Sequence, residues 1–392
     1  MQPLMLLLFF LLSAVLAYAV TKLSILVSFR EKILDLPNPR SSHAGPVPRV
    51  GGIGILSGFY LSIAVLWLLG ARSPAVEAAP AGEFALVLIV GGSMGLLGLY
   101  DDLHGLSPRS KLLIQGVLAA AVIAAGLRLE SLWFPLQPSV GLGILSIPLT
   151  FAWLVAFPNI FNFMDGIDGL AGGTGFVYGL FFFLIAWWEG SQGIALVALL
   201  LAGSSLGFVW HNFPGARTFM GDIGSLFLGM LYALLVVGIA QSSGDPRTLV
   251  ALLLVCSVFV YDAVFTVLRR LRYRQNIFQA HRSHLYQRLV QAGLSHRAVT
   301  SLYLSLHVLV GSLALVYLGA PETGRAVIVG TVFVILLLLT RGVLWVEERA
   351  ERRKEMEAKS ALNGPGPGTV ERDAQSVNVK DAHKEEGALR GP

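Results

Sequence analysis

The stretch NIFNFMDGIDGLAGGTGFVYGLFFFLIAWW, residues 159–188, sets a polar cluster directly before a long segment without any charged side chain. An α-helix of ~20 apolar residues is long enough to cross the hydrocarbon core of a bilayer. The whole chain shares this character, since 55% of its 392 residues are hydrophobic and only 14% are charged, against roughly 25% charged in soluble domains. The sequence therefore predicts an all-α, polytopic integral membrane protein.

Eleven apolar segments have the length and composition expected of transmembrane helices. They are residues 4–28, 50–70, 84–100, 111–127, 147–163, 169–188, 192–211, 225–240, 247–268, 298–319 and 325–346. We therefore predict a transmembrane catalytic domain over residues 1–346. Residues 347–392 are predicted to form a charged tail that begins as a helix and is otherwise disordered, because its composition buries little apolar surface.

The basic residues predict the orientation of these spans. Most Lys and Arg residues fall in alternate loops and in the tail, above all in residues 269–297 and 347–392. The opposite loops contain only Arg72, Arg128, Arg247 and Arg325. The positive-inside rule then places the N-terminus outside and the C-terminus in the cytoplasm. The net charge of +5 suits membrane lipid headgroups or an anionic substrate, and we find no nucleic-acid-binding motif.

Five polar clusters fall on the cytoplasmic side of the predicted topology. They are residues 37–52, 100–111, 159–173, 211–226 and 279–289. Carboxylates, amides and basic side chains are costly near hydrocarbon, so their gathering on one side predicts a single active site at the membrane surface.

Oxygen-bearing side chains in the third and fourth clusters favour a metal site. Asp165 and Asp168 are three residues apart and share a face if the segment is helical, and Asn162 extends that face. Asp222 is an isolated carboxylate at the mouth of another span. Carboxylate and amide oxygens suit Mg²⁺, with Mn²⁺ as an alternative ion. A structural role, in which these groups cap adjoining helices, stays open.

Asp101 and Asp102 end the third span. Adjacent side chains on a helix point about 100° apart, so we expect one to face the site and the other to meet a basic partner or a helix terminus.

A basic cluster follows the ninth span. His281 and His284 are three residues apart with Arg282 between them, and all three can donate hydrogen bonds to phosphate oxygens. Zinc binding by the histidines and a merely solvated basic loop are the alternatives.

The first cluster sets Asn38, Arg40 and His43 among prolines, ahead of Gly51 and Gly52. Prolines stiffen a loop and glycines allow close backbone approach, as in a phosphate-binding loop. The alternative is that these prolines and glycines form a turn with a packing role only.

Taken together, YDD at 100–102, NIFNFMDGIDGLAGG at 159–173, NFPGARTFMGDIGSLFLG at 212–229 and HRSHLYQRL at 281–289 resemble the polyprenyl-phosphate N-acetylhexosamine-1-phosphate transferases, glycosyltransferase family 4. The resemblance implies a bacterial inner-membrane enzyme that depends on Mg²⁺. It would transfer a sugar 1-phosphate from a UDP-N-acetylhexosamine to undecaprenyl phosphate and release UMP. The oligomeric state stays open, and a homodimer is one of the states allowed.

The resemblance also assigns roles to residues. Its implied metal residues are Asp222 and Asn162, its acids near the lipid phosphate are Asp101 and Asp102, its nucleotide contacts are Asp165, Asp168 and Asn212, and Lys111 matches a lysine of the family motif. HRSH at 281–284 replaces the three consecutive histidines of the muramoyl-pentapeptide enzymes, and it resembles the branch that initiates O-antigen synthesis. The match does not separate UDP-GlcNAc, UDP-GalNAc, UDP-N-acetylfucosamine and UDP-N-acetylquinovosamine as donors.

Two other functional classes fit the sequence less well. A secondary transporter of an anionic solute would place its ionisable groups near the midplane of the membrane, whereas here they gather at one interface. A phosphotransferase acting on CDP-alcohols would need an arginine that DGIDGLAGG, residues 165–173, lacks.

Overall fold

Helices make up almost all of the regular structure in the computed structural model of this chain, which describes residues 2–35, 45–68, 81–133, 139–276 and 281–363. The helices in these ranges, in chain order, are α1 Pro3–Glu31, α2 Ile53–Leu68, α3 Ala81–His104, α4 Pro108–Ala124, α5 Ser146–Phe163, α6 Leu170–Trp188, α7 Gln192–Asn212, α8 Gly221–Ser243, α9 Pro246–Arg272, α10 Leu285–Gln291, α11 His296–Gly319 and α12 Glu322–Asn363. The predicted all-α fold is confirmed.

Short strands interrupt the helices at two places. β1 (Leu34–Asp35) pairs antiparallel with β2 (Val47–Pro48), with Leu34 opposite Pro48. β3 (Ser131–Leu132) pairs antiparallel with β4 (Val140–Gly141), just before a 3₁₀ turn at Gly143–Leu145. The first hairpin positions the chain that leads into α2.

Nine helices in the described ranges are long and apolar enough to cross a membrane. The other two predicted spans are also helical but shorter, since α2 has 16 residues and α4 has 17. All eleven predicted segments are therefore helices, and the chain is a multi-pass membrane protein by length and composition.

Helix α8 forms the centre of the packed helices. Its side chains are buried almost without interruption from Ile223 to Ile239, and it packs against α3 and α5. Around it, α7 packs against both α6 and α1. A helix that is apolar on every side, as α8 is, belongs in the interior of a bundle.

The chain divides into two compact units, Met1–Arg341 and Gly342–Pro392. The first unit contains every candidate site residue that the structure describes. In the second unit the described residues are helical as far as Asn363, where the sequence predicted a charged helical extension. The predicted catalytic role of residues 1–346 and the disorder of the tail stay predictions.

Helix ends determine where the polar clusters lie. The loop between α5 and α6 covers residues 164–169, and the loop between α7 and α8 covers residues 213–220. Because a short loop joins antiparallel neighbours, the C-terminal end of one helix lies beside the N-terminal start of the next. The acidic residues at these ends are thereby brought together.

Candidate active site

Lys111 lies between two carboxylates from different helices. Its Nζ atom is 2.7 Å from Asp101 Oδ2, at the end of α3, and 3.1 Å from Asp222 Oδ2, at the start of α8. The other oxygen of Asp101 accepts a hydrogen bond from the backbone N–H of Leu106 at 2.5 Å. Asp101 therefore organises the α3–α4 turn and, with Asp222, holds the ammonium group in place.

Asp102 has a different partner from its neighbour. Its two oxygens accept hydrogen bonds from the backbone N–H groups of Asp222 and Ile223, at 3.1 and 3.0 Å. These N–H groups belong to the first turn of α8, where no carbonyl of the helix can reach them. Asp102 thus caps α8, so one of the adjacent acids meets a basic partner and the other a helix terminus, whereas which of them faces the substrate stays a prediction.

A glycine makes this cap possible. Gly221 has φ of +69°, and a Cβ atom built there would lie 2.3 Å from the carbonyl oxygen of Arg49 and 2.6 Å from Asp102 Oδ2. The guanidinium of Arg49 in turn donates to the backbone carbonyl of Asp102. The segment before α2 is held against the 213–220 loop by a hydrogen bond of 2.7 Å from Phe219 N–H to the Pro48 carbonyl.

Asn162 orients Asp222 from the end of α5. Its Nδ2 atom donates to Asp222 Oδ1 and to Ser225 Oγ, both at 2.8 Å. The two residues predicted to hold the metal are therefore in direct contact. Each carboxylate oxygen of Asp222 already has one protein donor and keeps a further lone pair for a ligand.

Asp165 is a half-buried carboxylate with no hydrogen bond or ion pair to its side chain among the described residues. Burial raises the pKa of Asp165 well above its ordinary value, and repulsion from Asp222, Asp102 and Asp168 adds to the rise. Among the described residues, Lys111 contacts Asp101 and Asp222 and Arg49 contacts the backbone of Asp102, so carboxyl groups outnumber cations in this cluster.

A divalent cation fits this donor set. Carboxylate and amide oxygens are the ligands that Mg²⁺ prefers, and Mg²⁺ is commonly held by one or two carboxylates together with water and substrate phosphates. No group of three or more His, Cys, Asp or Glu residues in the described ranges is arranged to hold a metal ion.

Asp168 and Asn212 connect the 164–169 loop to the 213–220 loop through hydrogen bonds. Asp168 Oδ2 accepts from the N–H groups of Gly215 and Ala216, and Asp168 Oδ1 lies 3.2 Å from His296 Nδ1. Burial alone would raise the pKa of Asp168, but these donors lower it below its ordinary value. Asn212 accepts from Gly169 N–H at 2.9 Å and donates to a carbonyl in its own loop. Their predicted contact with a nucleotide remains a prediction.

The predicted basic cluster lies at the start of α10. His284 is buried and its Nδ1 lies 3.2 Å from Asp262 Oδ1, whereas Arg282 is exposed. Burial, with the nearby His284 and Arg270, lowers the pKa of His281 to about 4, so this imidazole is neutral at physiological pH. The cluster therefore presents an exposed guanidinium next to two histidines.

Helix α10 contacts the acidic loop directly. The hydroxyl of Tyr286 donates to the carbonyl of Phe163 at 2.9 Å, and a Cβ atom at Gly166 would lie 2.1 Å from that hydroxyl. The clusters at 100–111, 159–173 and 211–226, the described residues of the cluster at 279–289, and Arg49 from the first cluster are thus connected by direct contacts. The predicted residues Asn38, Arg40 and His43 lie outside the described residues.

Two site residues were missed by the sequence reasoning. His296 lies two residues before the predicted span at 298–319, and nothing in its local sequence indicates that it pairs with Asp168. Ser225 is one turn after Asp222 on the same helix face, a spacing of three that does signal a shared surface.

The fold defines a multi-pass membrane protein. Its candidate site lies at the ends of helices and combines carboxylates with basic side chains that can bind phosphate. The model of the family described as glycosyl transferase family 4 matches residues 84–240. A decaprenyl-phosphate N-acetylglucosaminephosphotransferase of Mycobacterium leprae is 32% identical, over 84% of this chain and 89% of that protein.

Two further relatives have similar names. A probable undecaprenyl-phosphate N-acetylglucosaminyl 1-phosphate transferase of Bacillus subtilis is 31% identical, over 75% of this chain and 80% of that protein. An undecaprenyl-phosphate α-N-acetylglucosaminyl 1-phosphate transferase of Salmonella typhi is 28% identical, over 69% of this chain and 72% of that protein. This chain belongs to glycosyl transferase family 4, as its motifs predicted.

Proposed function

We propose that this chain transfers N-acetylglucosamine 1-phosphate from UDP-N-acetylglucosamine to undecaprenyl phosphate, with release of UMP. The observation that carries the proposal is the meeting of Asp101, Lys111, Asn162 and Asp222 at helix ends, in a chain whose relatives are named for N-acetylglucosamine phosphate transfer to polyprenyl phosphates. We place the site at the cytoplasmic face of the bacterial inner membrane, as the positive-inside rule requires.

The reaction needs one bond to form and one to break. An oxygen of the lipid phosphate attacks the phosphorus that carries the sugar, and the bond from that phosphorus to the bridging oxygen of UMP breaks. A phosphate monoester has a second pKa near 6, so the lipid phosphate is mostly dianionic at neutral pH. We therefore favour direct in-line attack, in which the protein supplies position and positive charge rather than a strong base.

Lys111 and Asp101 suit the acceptor side of this reaction. The ammonium of Lys111 is the nearest cation to the acids, at 2.7 Å from Asp101 and 3.1 Å from Asp222. A phosphate that enters beside Lys111 would gain a charge-assisted hydrogen bond. Asp101 would then position the acceptor or take its residual proton.

The basic cluster suits the donor diphosphate. Arg282 is exposed, and its guanidinium can bind two phosphate oxygens at once. His281 and His284, whose rings are 5.1 Å apart, lie beside it. Because Tyr286 connects the start of α10 to the end of α5, a diphosphate held by this cluster would lie close to Asp165 and Asn162.

A divalent ion completes the charge balance of this arrangement. We propose that Asp222 and Asn162 hold Mg²⁺ or Mn²⁺, with Asp165 contributing further negative charge. When bound, such an ion draws electron density from phosphate oxygens and stabilises the charge that develops on the departing UMP.

A transfer assay tests the proposed function. Purified protein in neutral detergent is incubated with Mg²⁺, undecaprenyl phosphate and UDP-N-acetyl[¹⁴C]glucosamine, and organic-phase radioactivity and UMP are measured together. We expect equal amounts of labelled lipid and UMP, both abolished by EDTA. Decaprenyl phosphate serves as the alternative acceptor, since relatives are named for each lipid.

A panel of UDP-GalNAc, UDP-N-acetylfucosamine and UDP-N-acetylquinovosamine identifies the sugar. Faster transfer from one of these donors would replace N-acetylglucosamine in the proposal. No labelled lipid from any donor, with protein that is folded and supplied with Mg²⁺ and acceptor, would refute transfer to a polyprenyl phosphate altogether.

A further inference from the structure

Asp262 is a fully buried carboxylate in α9 that contacts His284 of the basic cluster and the first residues of α10. Its Oδ1 atom accepts from the backbone N–H of Leu285 at 2.9 Å and lies 3.2 Å from His284 Nδ1. Its Oδ2 atom accepts from the Tyr286 N–H at 3.2 Å and from the Tyr303 hydroxyl at 2.7 Å. An ionised carboxylate with this many donors is well satisfied in the interior.

These contacts determine which nitrogen of His284 is available. Asp262 Oδ1 accepts from the Leu285 N–H and, as a carboxylate oxygen, has no hydrogen to donate. The hydrogen in its contact with His284 must therefore lie on Nδ1 of the imidazole. The remaining nitrogen, Nε2, takes no part in the contact with Asp262. The contact therefore leaves Nε2 as the ring nitrogen of His284 that Asp262 does not engage.

The same carboxylate also determines where α10 begins. Asp262 accepts from the N–H groups of Leu285 and Tyr286, and the Tyr286 side chain contacts the Phe163 carbonyl. Phe163 is the neighbour of Asn162, which contacts Asp222. Asp262 is thus joined to the acidic cluster by a continuous series of hydrogen bonds and backbone.

We propose that Asp262 is a positioning residue for the transfer reaction, which fixes the tautomer and orientation of His284 so that Nε2 faces the donor phosphates. The inference rests on the proposed function for the ligand that His284 meets. Histidines at functional sites commonly owe their tautomer to a second hydrogen bond of this kind. The competing explanation is that Asp262 only anchors α10 and that His284 plays no part.

The tautomer itself is tested in the unmodified protein. Protein labelled with ¹⁵N-histidine is studied in detergent at about pH 8, and the His284 signals are assigned by their loss in His284→Gln. A free neutral imidazole favours the hydrogen on Nε2, so an Nδ1–H signal for His284 is the expected and distinctive result. An Nε2–H signal would overturn the proposal, whether or not the enzyme accepts the assumed donor.

A kinetic comparison separates positioning from anchoring. Asp262→Asn keeps the shape of the side chain but can accept at only one of its two positions. We expect kcat to fall at least ~10-fold with KM changed less than ~2-fold, the scale seen when partners of functional histidines are removed. Tyr303→Phe is the matched control, since it removes a donor to the same carboxylate but leaves His284 untouched, and it should lose less than ~3-fold.

The double variant Asp262→Asn/His284→Gln completes the test. If Asp262 acts through His284, the double variant should be no slower than His284→Gln within ~2-fold. Losses that multiply, or equal losses in Asp262→Asn and Tyr303→Phe, would show a structural anchor and refute the proposal. If the wild-type protein transfers no sugar phosphate, the proposed function fails, while the ¹⁵N measurement still tests whether Asp262 fixes the tautomer of His284.

Discussion

Lys111 Nζ lies 3.1 Å from Asp222 Oδ2, across a separation of 111 residues in the chain. The same ammonium is 2.7 Å from Asp101 Oδ2. One cation thereby holds the end of α3 to the start of α8, the most completely buried helix. The acidic residues of the candidate site are therefore fixed by the helix packing before any substrate binds.

Asp222→Asn should reduce turnover on the order of 100-fold or more, because it removes the charge that a divalent ion needs and weakens the contact with Lys111. Initial rates of labelled-lipid formation over a Mg²⁺ titration measure the effect. Ser225→Ala is the matched control, since it changes another contact of Asn162 without altering charge. Ordinary activity of Asp222→Asn at limiting Mg²⁺ would remove Asp222 from the metal site.

Asp101→Asn should retain part of the activity, with a rate that rises with pH as more of the lipid phosphate becomes dianionic. The reason is that direct attack needs no covalent bond to the protein. The rate of transfer between pH 6 and 8 is compared with that of wild type. UMP release from the UDP-sugar without any lipid, together with a sugar-phosphate adduct on Asp101 or Asp102, would instead establish a covalent intermediate.

Asp102→Ala should lower the free energy of unfolding by about 1–2 kcal/mol, since it leaves two N–H groups at the start of α8 without their cap. Thermal unfolding in neutral detergent without Mg²⁺ measures the change. Asp102→Asn, which can still accept one of the two hydrogen bonds, should recover part of the loss. A variant Asp102→Ala as stable as wild type would show that the cap contributes nothing.

Asp165→Asn should stabilise the protein in EDTA at pH 8. The folded pKa of Asp165 is raised, so its ionisation opposes folding, and stability is lost as pH rises through that folded pKa. Below the unfolded value of about 4 the difference from wild type should vanish. We expect a midpoint of thermal unfolding at least ~2 °C higher for the variant at pH 8.

Asp168→Asn provides a comparison of opposite sign. The pKa of Asp168 is lowered in the folded protein, so its charge stabilises the fold above the unfolded pKa and that contribution disappears as pH falls through the folded pKa. The variant should therefore be less stable than wild type at pH 8. Equal shifts for both variants would mean that the two carboxylates do not differ in environment.

Arg282→Ala should lower kcat/KM at least ~10-fold, about 1.4 kcal/mol, because its guanidinium is proposed to bind the donor diphosphate. Arg272→Ala is the matched control, as Arg272 is equally exposed at the end of α9. Both are assayed in neutral detergent, where attraction to anionic headgroups is absent. Equal small losses would mean that the basic residues only attract the protein to anionic lipid.

The helices were predictable from the sequence, and the site only in part. Hydropathy located eleven of the twelve helices in the described ranges and missed the short α10, because burying a polar side chain in hydrocarbon is costly wherever a long helix packs. It placed the start of α2 three residues too early, at residue 50, whereas the helix begins at Ile53. Threading the eleven segments through a membrane also placed the polar clusters on one side of it, which predicted a single site.

The sequence by itself determined the class of fold, the polar clusters and their residue types. The reason is that composition and spacing decide which segments enter a membrane and which side-chain types lie between them. Only the tertiary structure decided the partners. Asp102 caps a helix 120 residues away in the chain, and Asp262, buried in a span, orients the loop of His284. Such pairs form because helix packing brings together helix ends that are distant in the chain. A buried carboxylate there accepts hydrogen bonds from N–H and O–H groups that have no other partner.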